Sequence, residues 1–297
     1  MPLIIMVAID PSYLITQVLN GLVWGLVLAL IAMGLALIYG LLDIVNFAHG
    51  AFYAFGAYVA WQTLLSGGNY WVAMLTVPLA MILLGLFVES TLLRRLYGQD
   101  TKFTLIFNFG LMLVIVQACR FIWGARGKPI SIPSELAFSV DLGIFSYPAY
   151  RLFVIALTSA IAIAVFVFLR KTHVGMATRA GIQNREMVQV LGVNIGRIYT
   201  LIYTIGICIA GIAGLVASPL FGVYPEMGAE VLIPAFVVVV VGGMGSFHGS
   251  ILAGILVGQV ATLPIIWEPR IAQVMIYVFM AIVLLARPAG LFGELGR

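Results

Sequence analysis

Apolar residues along this chain do not alternate with polar ones; they gather in long runs. Nine runs stand out, at 17–39, 44–65, 70–93, 103–123, 150–169, 198–217, 231–243, 250–267 and 271–286. An α-helix needs about 20 predominantly apolar residues to cross the hydrocarbon core of a bilayer. Most of the runs meet that length, and each predicts a membrane-embedded helix. Two are irregular. The run at 44 opens on Asn46, His49 and Gly50, and the run at 231 is short and ends in glycines. Both predict broken helices or half-spans.

Composition agrees with the pattern. Of 297 residues, 63% are hydrophobic and 9% charged, where soluble domains carry about 25% charged residues. The expected fold is all-α: a polytopic integral membrane protein of about eight to nine spans, forming one transmembrane domain over 1–297. No polar block is long enough for a separate soluble domain. The net charge of +4 is small and scattered, which argues against nucleic acid as a partner. Cys119 and Cys208 sit inside apolar runs and read as packing residues. The start of the chain, 1–12, lacks a basic region and a cleavage site, so no signal peptide is expected.

Lysine and arginine set the expected orientation, because they collect in cytoplasmic loops. With the N-terminus outside, one side holds Arg94, Arg95, Lys102, Arg170, Lys171, Arg179, Arg185, Arg197, Arg287 and Arg297. The other holds Arg120, Arg126, Lys128, Arg151 and Arg270. The bias favours an outside N-terminus and a cytoplasmic C-terminus. The longest outside loop, 124–149, carries Pro129, Pro133 and Pro148, which oppose a helix. Its alternating stretches at 130–132 and 138–140 allow a small hairpin.

A polar island interrupts the apolar sequence at about 172–194, on the predicted cytoplasmic side. A helix over 175–191 places Met187, Val190 and Leu191 on one face, leaving Arg179, Arg185, Glu186 and Gln189 to water or a partner. Docking into a partner's groove uses this arrangement; a helix lying on anionic lipid is the alternative. Gly175, Gly181 and Gly192 suit a short, bounded helix, since each weakens a helix by about 1 kcal/mol relative to alanine.

Polar residues at membrane depth are the other signal. Asn46, Phe47, His49 and Gly50 interrupt an apolar stretch, and such residues face a bundle interior or a cavity. They read either as a translocation path or as glue between helices. Gly242, Gly243, Gly245 and Ser246, followed by Phe247-His248-Gly249, occupy a comparable place in the second half. Paired glycine-interrupted segments point to a transporter's central site. No G-x-x-x-x-G-K-[ST] phosphate loop occurs, and no constellation for catalysis or metal binding is apparent. The chain is therefore expected to be no enzyme and to bind no cofactor, with energy drawn from a partner's ATP or an ion gradient.

The stretch Tyr39-Gly40-Leu41-Leu42-Asp43-Ile44-Val45-Asn46-Phe47-Ala48-His49-Gly50, continuing to Tyr58, resembles the early signature of branched-chain amino acid ABC transporter permeases. So do Arg179-Ala180 with Gln183-Asn184-Arg185-Glu186 and Leu191-Gly192-Val193-Asn194, the Gly242-Gly243-Met244-Gly245-Ser246 turn, and Arg287-Pro288-Ala289-Gly290-Leu291-Phe292-Gly293 near the end. The four lie in family order across nearly the whole chain, and the likeness is to the LivH-type subunit. The resemblance implies a type II ABC importer permease bundle with broken helices, in a bacterial inner membrane. Its partners would be two ATP-binding subunits carrying ATP and Mg, a second homologous permease and an extracytoplasmic substrate-binding protein. The substrates would be leucine, isoleucine and valine, or related small amino acids and amides. The island would be the element coupling to the ATPase, through Gly175, Arg179, Ala180, Asn184, Arg185, Glu186, Leu191 and Gly192. One departure stands out: Gln259 replaces an acid that relatives often carry. Outside the resemblance, an ion-gradient carrier and a passive urea or amide channel are the alternatives.

Overall fold

The computed structural model describes residues 10–143 and 145–293. Residues 1–9 and Arg297, which entered the readings of the N-terminus and of the charge bias, lie outside the described residues. Eleven α-helices follow one another: α1 (Pro11–Leu42), α2 (His49–Leu65), α3 (Tyr70–Phe87), α4 (Thr101–Trp123), α5 (Ala149–Lys171), α6 (His173–Gln183), α7 (Arg185–Val190), α8 (Ile195–Phe221), α9 (Met227–Gly242), α10 (Phe247–Thr262) and α11 (Pro269–Ala286). Each of the nine apolar runs is a helix. Six helices, some with short extensions, are long and apolar enough to cross a membrane. The chain is a multi-pass membrane protein.

α1 is the axis of the bundle. From Gly25 to Ile38 it is buried on every side, because α5, α8, α9 and α10 pack around it. A helix that is apolar all round belongs in such a place. The tightest of these contacts is with α10. A Cβ added at Gly254 would approach Gly25 O at 2.8 Å, and one at Gly258 would strike the backbone of Gly21 and Gly25. Small residues four apart on both helices let the backbones touch, which is how helices associate when lipid offers no hydrophobic drive. Gln259, beside this seam, donates to Val18 O at 3.0 Å.

The two faces of the bundle differ. One carries a hairpin, the other the polar island. On the hairpin face Tyr147 donates to Asn20 of α1 at 3.0 Å, and the Tyr70 and Tyr150 hydroxyls are 2.8 Å apart. The hairpin corrects the expectation in part: Ser139–Asp141 (β1) pairs antiparallel with Ser146–Pro148 (β2), while 130–132 forms no strand. On the island face the start of α8, the ends of α1, α3, α5, α9 and α11, and helices α6 and α7 lie together. The basic residues assigned to opposite sides fall on opposite faces, Arg297 aside. α1 starts on the hairpin face and α11 ends on the island face.

α2 and α9 are short. At 17 and 16 residues they measure about 25 Å at 1.5 Å per residue, less than the about 30 Å of a hydrocarbon core. α2 begins inside the bundle at the buried His49, and the first turn of α9 touches it there. The expected broken helices are these two.

Candidate translocation and coupling sites

The break before α2 starts at Asp43. Its φ of 58° is left-handed, a conformation that Asp tolerates better than most residues, and its N–H bonds Tyr39 O at 2.8 Å. The chain reverses there and runs back beside α1 as residues 43–48. It arrives at His49, whose Nε2 lies 3.2 Å from the Ile31 carbonyl. Ile31 is eleven residues from the end of α1, about 16 Å, so His49 sits deep in the bundle. Its ring covers Gly34, where an added Cβ would come within 2.8 Å of both the His49 ring and Gly206 O of α8.

Asn46, Phe47, His49 and Gly50 come together here. Asn46 is 1% exposed and His49 fully buried. The Phe47 ring packs on Phe236 of α9 at 5.6 Å between centroids. A Cβ at Gly50 or Gly228 would strike the other residue's carbonyl, so the leading ends of α2 and α9 touch. No side chain caps either helix. His49 Nδ1 has no hydrogen-bond partner among the described residues. Tyr203 belongs to α8, and its hydroxyl lies beside the Asn46 amide.

Gly242, Gly243, Gly245 and Ser246 lie elsewhere. They form the turn from α9 to α10 on the island face. Gly243 and Gly245 take φ values of 98° and 80°, which only glycine adopts freely. Ser246 caps α10 through Gly249 N at 3.1 Å. Leu291 and Phe292 donate to Val241 O at 2.8 Å and Gly242 O at 3.1 Å, which stitches the C-terminal segment to the turn. A Cβ at Gly40 of α1 would be 3.3 Å from Gly245. Gly40 is nine residues beyond Ile31, about 13 Å. The two groups of glycines and polar residues are therefore separate along the membrane normal.

The island is two helices where the sequence predicts one. Asn184 breaks it: its N–H closes α6 on Ala180 O at 2.9 Å, and its side chain caps α7 through Met187 N at 2.9 Å. Thr172 caps α6 through Gly175 N at 3.0 Å. A Cβ at Gly175 would collide with the Leu169 carbonyl, and Arg179 donates to that same carbonyl, so α6 is fixed against the end of α5. Arg185 lies beside Tyr199 of α8. Glu186 is exposed, as are Met187, Val190 and Leu191, and Gly192 closes the island with a φ of 82°. A cavity of about 860 Å³ separates the island from the α9–α10 turn, bounded by Tyr39, Asp43, Arg179, Arg185 and Ser246.

Glu89 lies near the end of the apolar run 70–93, yet it is completely buried. α3 runs on into one π-turn, Val88–Leu92, and then a 3₁₀ turn, Leu93–Leu96. The wider π-turn directs Glu89 inward, where it accepts from Tyr97 at 2.9 Å and from Arg94 at 3.4 Å. Arg94 also donates to Thr200 of α8 at 2.7 Å. Single π-turns within α-helices are frequent at functional sites.

A bundle with an enclosed axis, two short helices in contact and a capped polar island on one face is an arrangement suited to a membrane permease. Residues 17–285 match the family described as the permease component of branched-chain amino acid transport systems, and the chain belongs to that family. It is a transport permease component and not an enzyme. It is 29% identical to the branched-chain amino acid permease BraD of Pseudomonas aeruginosa, over 94% of this chain and 95% of that one. It is 26% identical to LivH of Escherichia coli K12, over 95% and 96%. Among solved structures it resembles PsaBC from Streptococcus pneumoniae in complex with Fab, with a TM-score of 0.50, 10% identity and 92% of each chain covered; that likeness concerns the fold.

Proposed function

We propose that this chain is the membrane-spanning subunit of an ATP-driven importer for leucine, isoleucine and valine or related small amino acids and amides. The observation that carries the reading is the island: two short capped helices fixed to α5 and packed on α8, presenting Met187, Val190 and Leu191 to solvent beside Glu186. An apolar face held off the lipid-embedded helices suits a groove on a soluble protein. The partners are two ATP-binding subunits, a second homologous permease and an extracytoplasmic substrate-binding protein. ATP and Mg belong to the partners, and this chain binds no cofactor. The island face is cytoplasmic, the N-terminus lies outside, and the membrane is the bacterial inner membrane.

The mechanism is alternating access, which requires two discrete states with different partner contacts. Closure of the ATPase pair on ATP moves α6 and α7. Arg179 ties the island to α5, and Tyr199 beside Arg185 ties it to α8. α8 in turn packs against α1, α2 and α3, so its motion reaches Asn46, Phe47, His49 and Gly50 at the start of α2. On the island face, Gly242, Gly243, Gly245 and Ser246 bound the inner end of the path. Gly175, Arg179, Ala180, Asn184, Arg185, Glu186, Leu191 and Gly192 shape the docking element.

The test is purification of tagged protein from its native membrane in mild detergent, with mass spectrometry of what accompanies it. A near-stoichiometric chain bearing a phosphate loop, lost on Glu186→Arg, supports the reading. A permease that purifies alone in several detergents at low salt overturns it in favour of a gradient-driven carrier or a channel.

A further inference from the structure

A second cavity, of about 320 Å³, lies on the hairpin face, away from the island. The first turns of α1, the start of α5 and the ends of α8 and α10 line it. Arg151 is its charged side chain. Asn20 Oδ1 accepts from Arg151 and, at 3.0 Å, from Tyr147, and the guanidinium faces the Tyr147 ring at 6.0 Å. These contacts fix the arginine at the cavity. A guanidinium carries five N–H donors, and the bond to Asn20 uses one of them. No ion pair among the described residues includes Arg151, and no acid lines the cavity. A fixed arginine without a carboxylate suits a phosphate, which its fork engages through two parallel bonds.

Depth supplies the rest of the chemistry. α1 has 32 residues, about 48 Å at 1.5 Å per residue, so it outruns a hydrocarbon core of about 30 Å. Measured along α1 from Leu42, Trp24 stands at about 27 Å and Gln17 at about 38 Å. The edge of the hydrocarbon falls between them. The Gln17 and Asn20 amides lie on the headgroup side of that edge, and Trp24 lies at it. The Trp24 ring meets Phe221 edge-on at 5.1 Å, while Phe221 and Ile265 are exposed. The cavity is therefore polar and positive toward the headgroups and apolar toward the acyl chains. With no acid to receive an ammonium, it favours a headgroup of net negative charge.

We propose that this cavity seats an anionic phospholipid from the leaflet on the hairpin face, with its phosphate on Arg151 and its acyl chains against Trp24 and Phe221. The volume holds the phosphate and the glycerol linkage below it, and the chains leave past Phe221 and Ile265 into the bilayer. One lipid then touches four helices, α1, α5, α8 and α10, and holds their ends on this face together. The site is separate from the island and from the Asn46–Gly50 segment, so it stands whether or not the transport function proposed above is correct.

The experiment uses the full chain, with whatever subunits accompany it, purified in a mild non-ionic detergent. Its melting temperature is read with phosphatidylglycerol, phosphatidylcholine or inorganic phosphate added, because a ligand of the folded state raises that temperature with its concentration. Phosphatidylglycerol is expected to raise it by several degrees, and the other two to leave it nearly unchanged. Arg151→Gln, which removes the charge, and Ala261→Phe, which fills the cavity and keeps the arginine, are each expected to lose most of the rise. An equal rise with phosphatidylcholine overturns the proposal, since the charge then plays no part. An equal rise with inorganic phosphate overturns it in favour of a free anion. An undiminished rise in folded Arg151→Gln or Ala261→Phe places the lipid elsewhere and also overturns it. Capture of the substrate-binding protein is then compared in phosphatidylcholine nanodiscs, where no anionic lipid is present. Arg151→Gln is expected to match wild type there; weaker capture gives the arginine to that protein and overturns the proposal.

Discussion

Gly50 and Gly228 are in backbone contact: a Cβ on either would strike the carbonyl oxygen of the other. Through this contact two helices too short to cross the membrane become one interrupted crossing. Gly50→Ala and Gly228→Ala are expected to lose about 1–3 kcal/mol of stability through overpacking, seen as a lower melting temperature of the purified protein. Alanine at Gly110, inside α4, where no atom lies within 4 Å of an added Cβ, is the control and should melt slightly above wild type, since alanine is the better helix former.

The seam between α1 and α10 makes the same demand over a longer stretch. Gly258→Leu would force Gly21 and Gly25 away from α10. The expected result is loss of monodisperse protein in detergent gel filtration. At Gly98, where nothing lies near the added atom, crowding is absent, and Gly98→Asn, which tolerates its φ of 80°, should elute normally.

Asp43 is the sole non-glycine residue with a positive φ among those described. Asp43→Gly removes a backbone penalty of about 1 kcal/mol and is expected to raise the melting temperature slightly. Asp43→Val puts a branched side chain where the left-handed turn rejects it and should lower the melting temperature. Equal melting of the two variants would show that the reversal after α1 does not depend on that turn.

Tyr97 holds a buried carboxylate. Tyr97→Phe leaves Glu89 Oε1 without its 2.9 Å donor, at a cost of about 1.5–3 kcal/mol for a hydrogen bond to a charged group. Thermal unfolding of the variant checks this. The double variant Tyr97→Phe/Glu89→Leu should recover part of the loss, since the buried carboxylate is gone and the half-exposed Arg94 keeps water and Thr200 as partners.

Most of the helical layout was legible because membrane helices announce themselves: lipid demands unbroken apolar runs, and nine runs became nine helices. The half-spans were legible from Asn46, His49 and Gly50, which have no place against lipid. Three features were not. Glu89 looked like the polar end of a span, because the π-turn that directs it inward is a matter of one extra residue in a turn. Tyr203 resembled any aromatic in an apolar helix, and its neighbour Asn46 is far away in sequence. The turn at Gly242–Ser246 read as a second central element because it mirrors the first in composition. The structure places it on the island face, where its glycines serve a tight turn and the stitching of the C-terminal segment. Asn184 breaks the island by acting at once as the stop of α6 and the cap of α7, a double role that apolar periodicity does not register.

The most direct test of the account is energy dependence. Uptake of labelled leucine, isoleucine or valine is measured in proteoliposomes containing this chain, its co-purifying partners and the binding protein. Uptake is expected to require ATP inside the vesicles, to persist when ion gradients are collapsed, and to be lost with Glu186→Arg. Uptake without ATP that follows a proton or sodium gradient, or that is unchanged in Glu186→Arg, would contradict it.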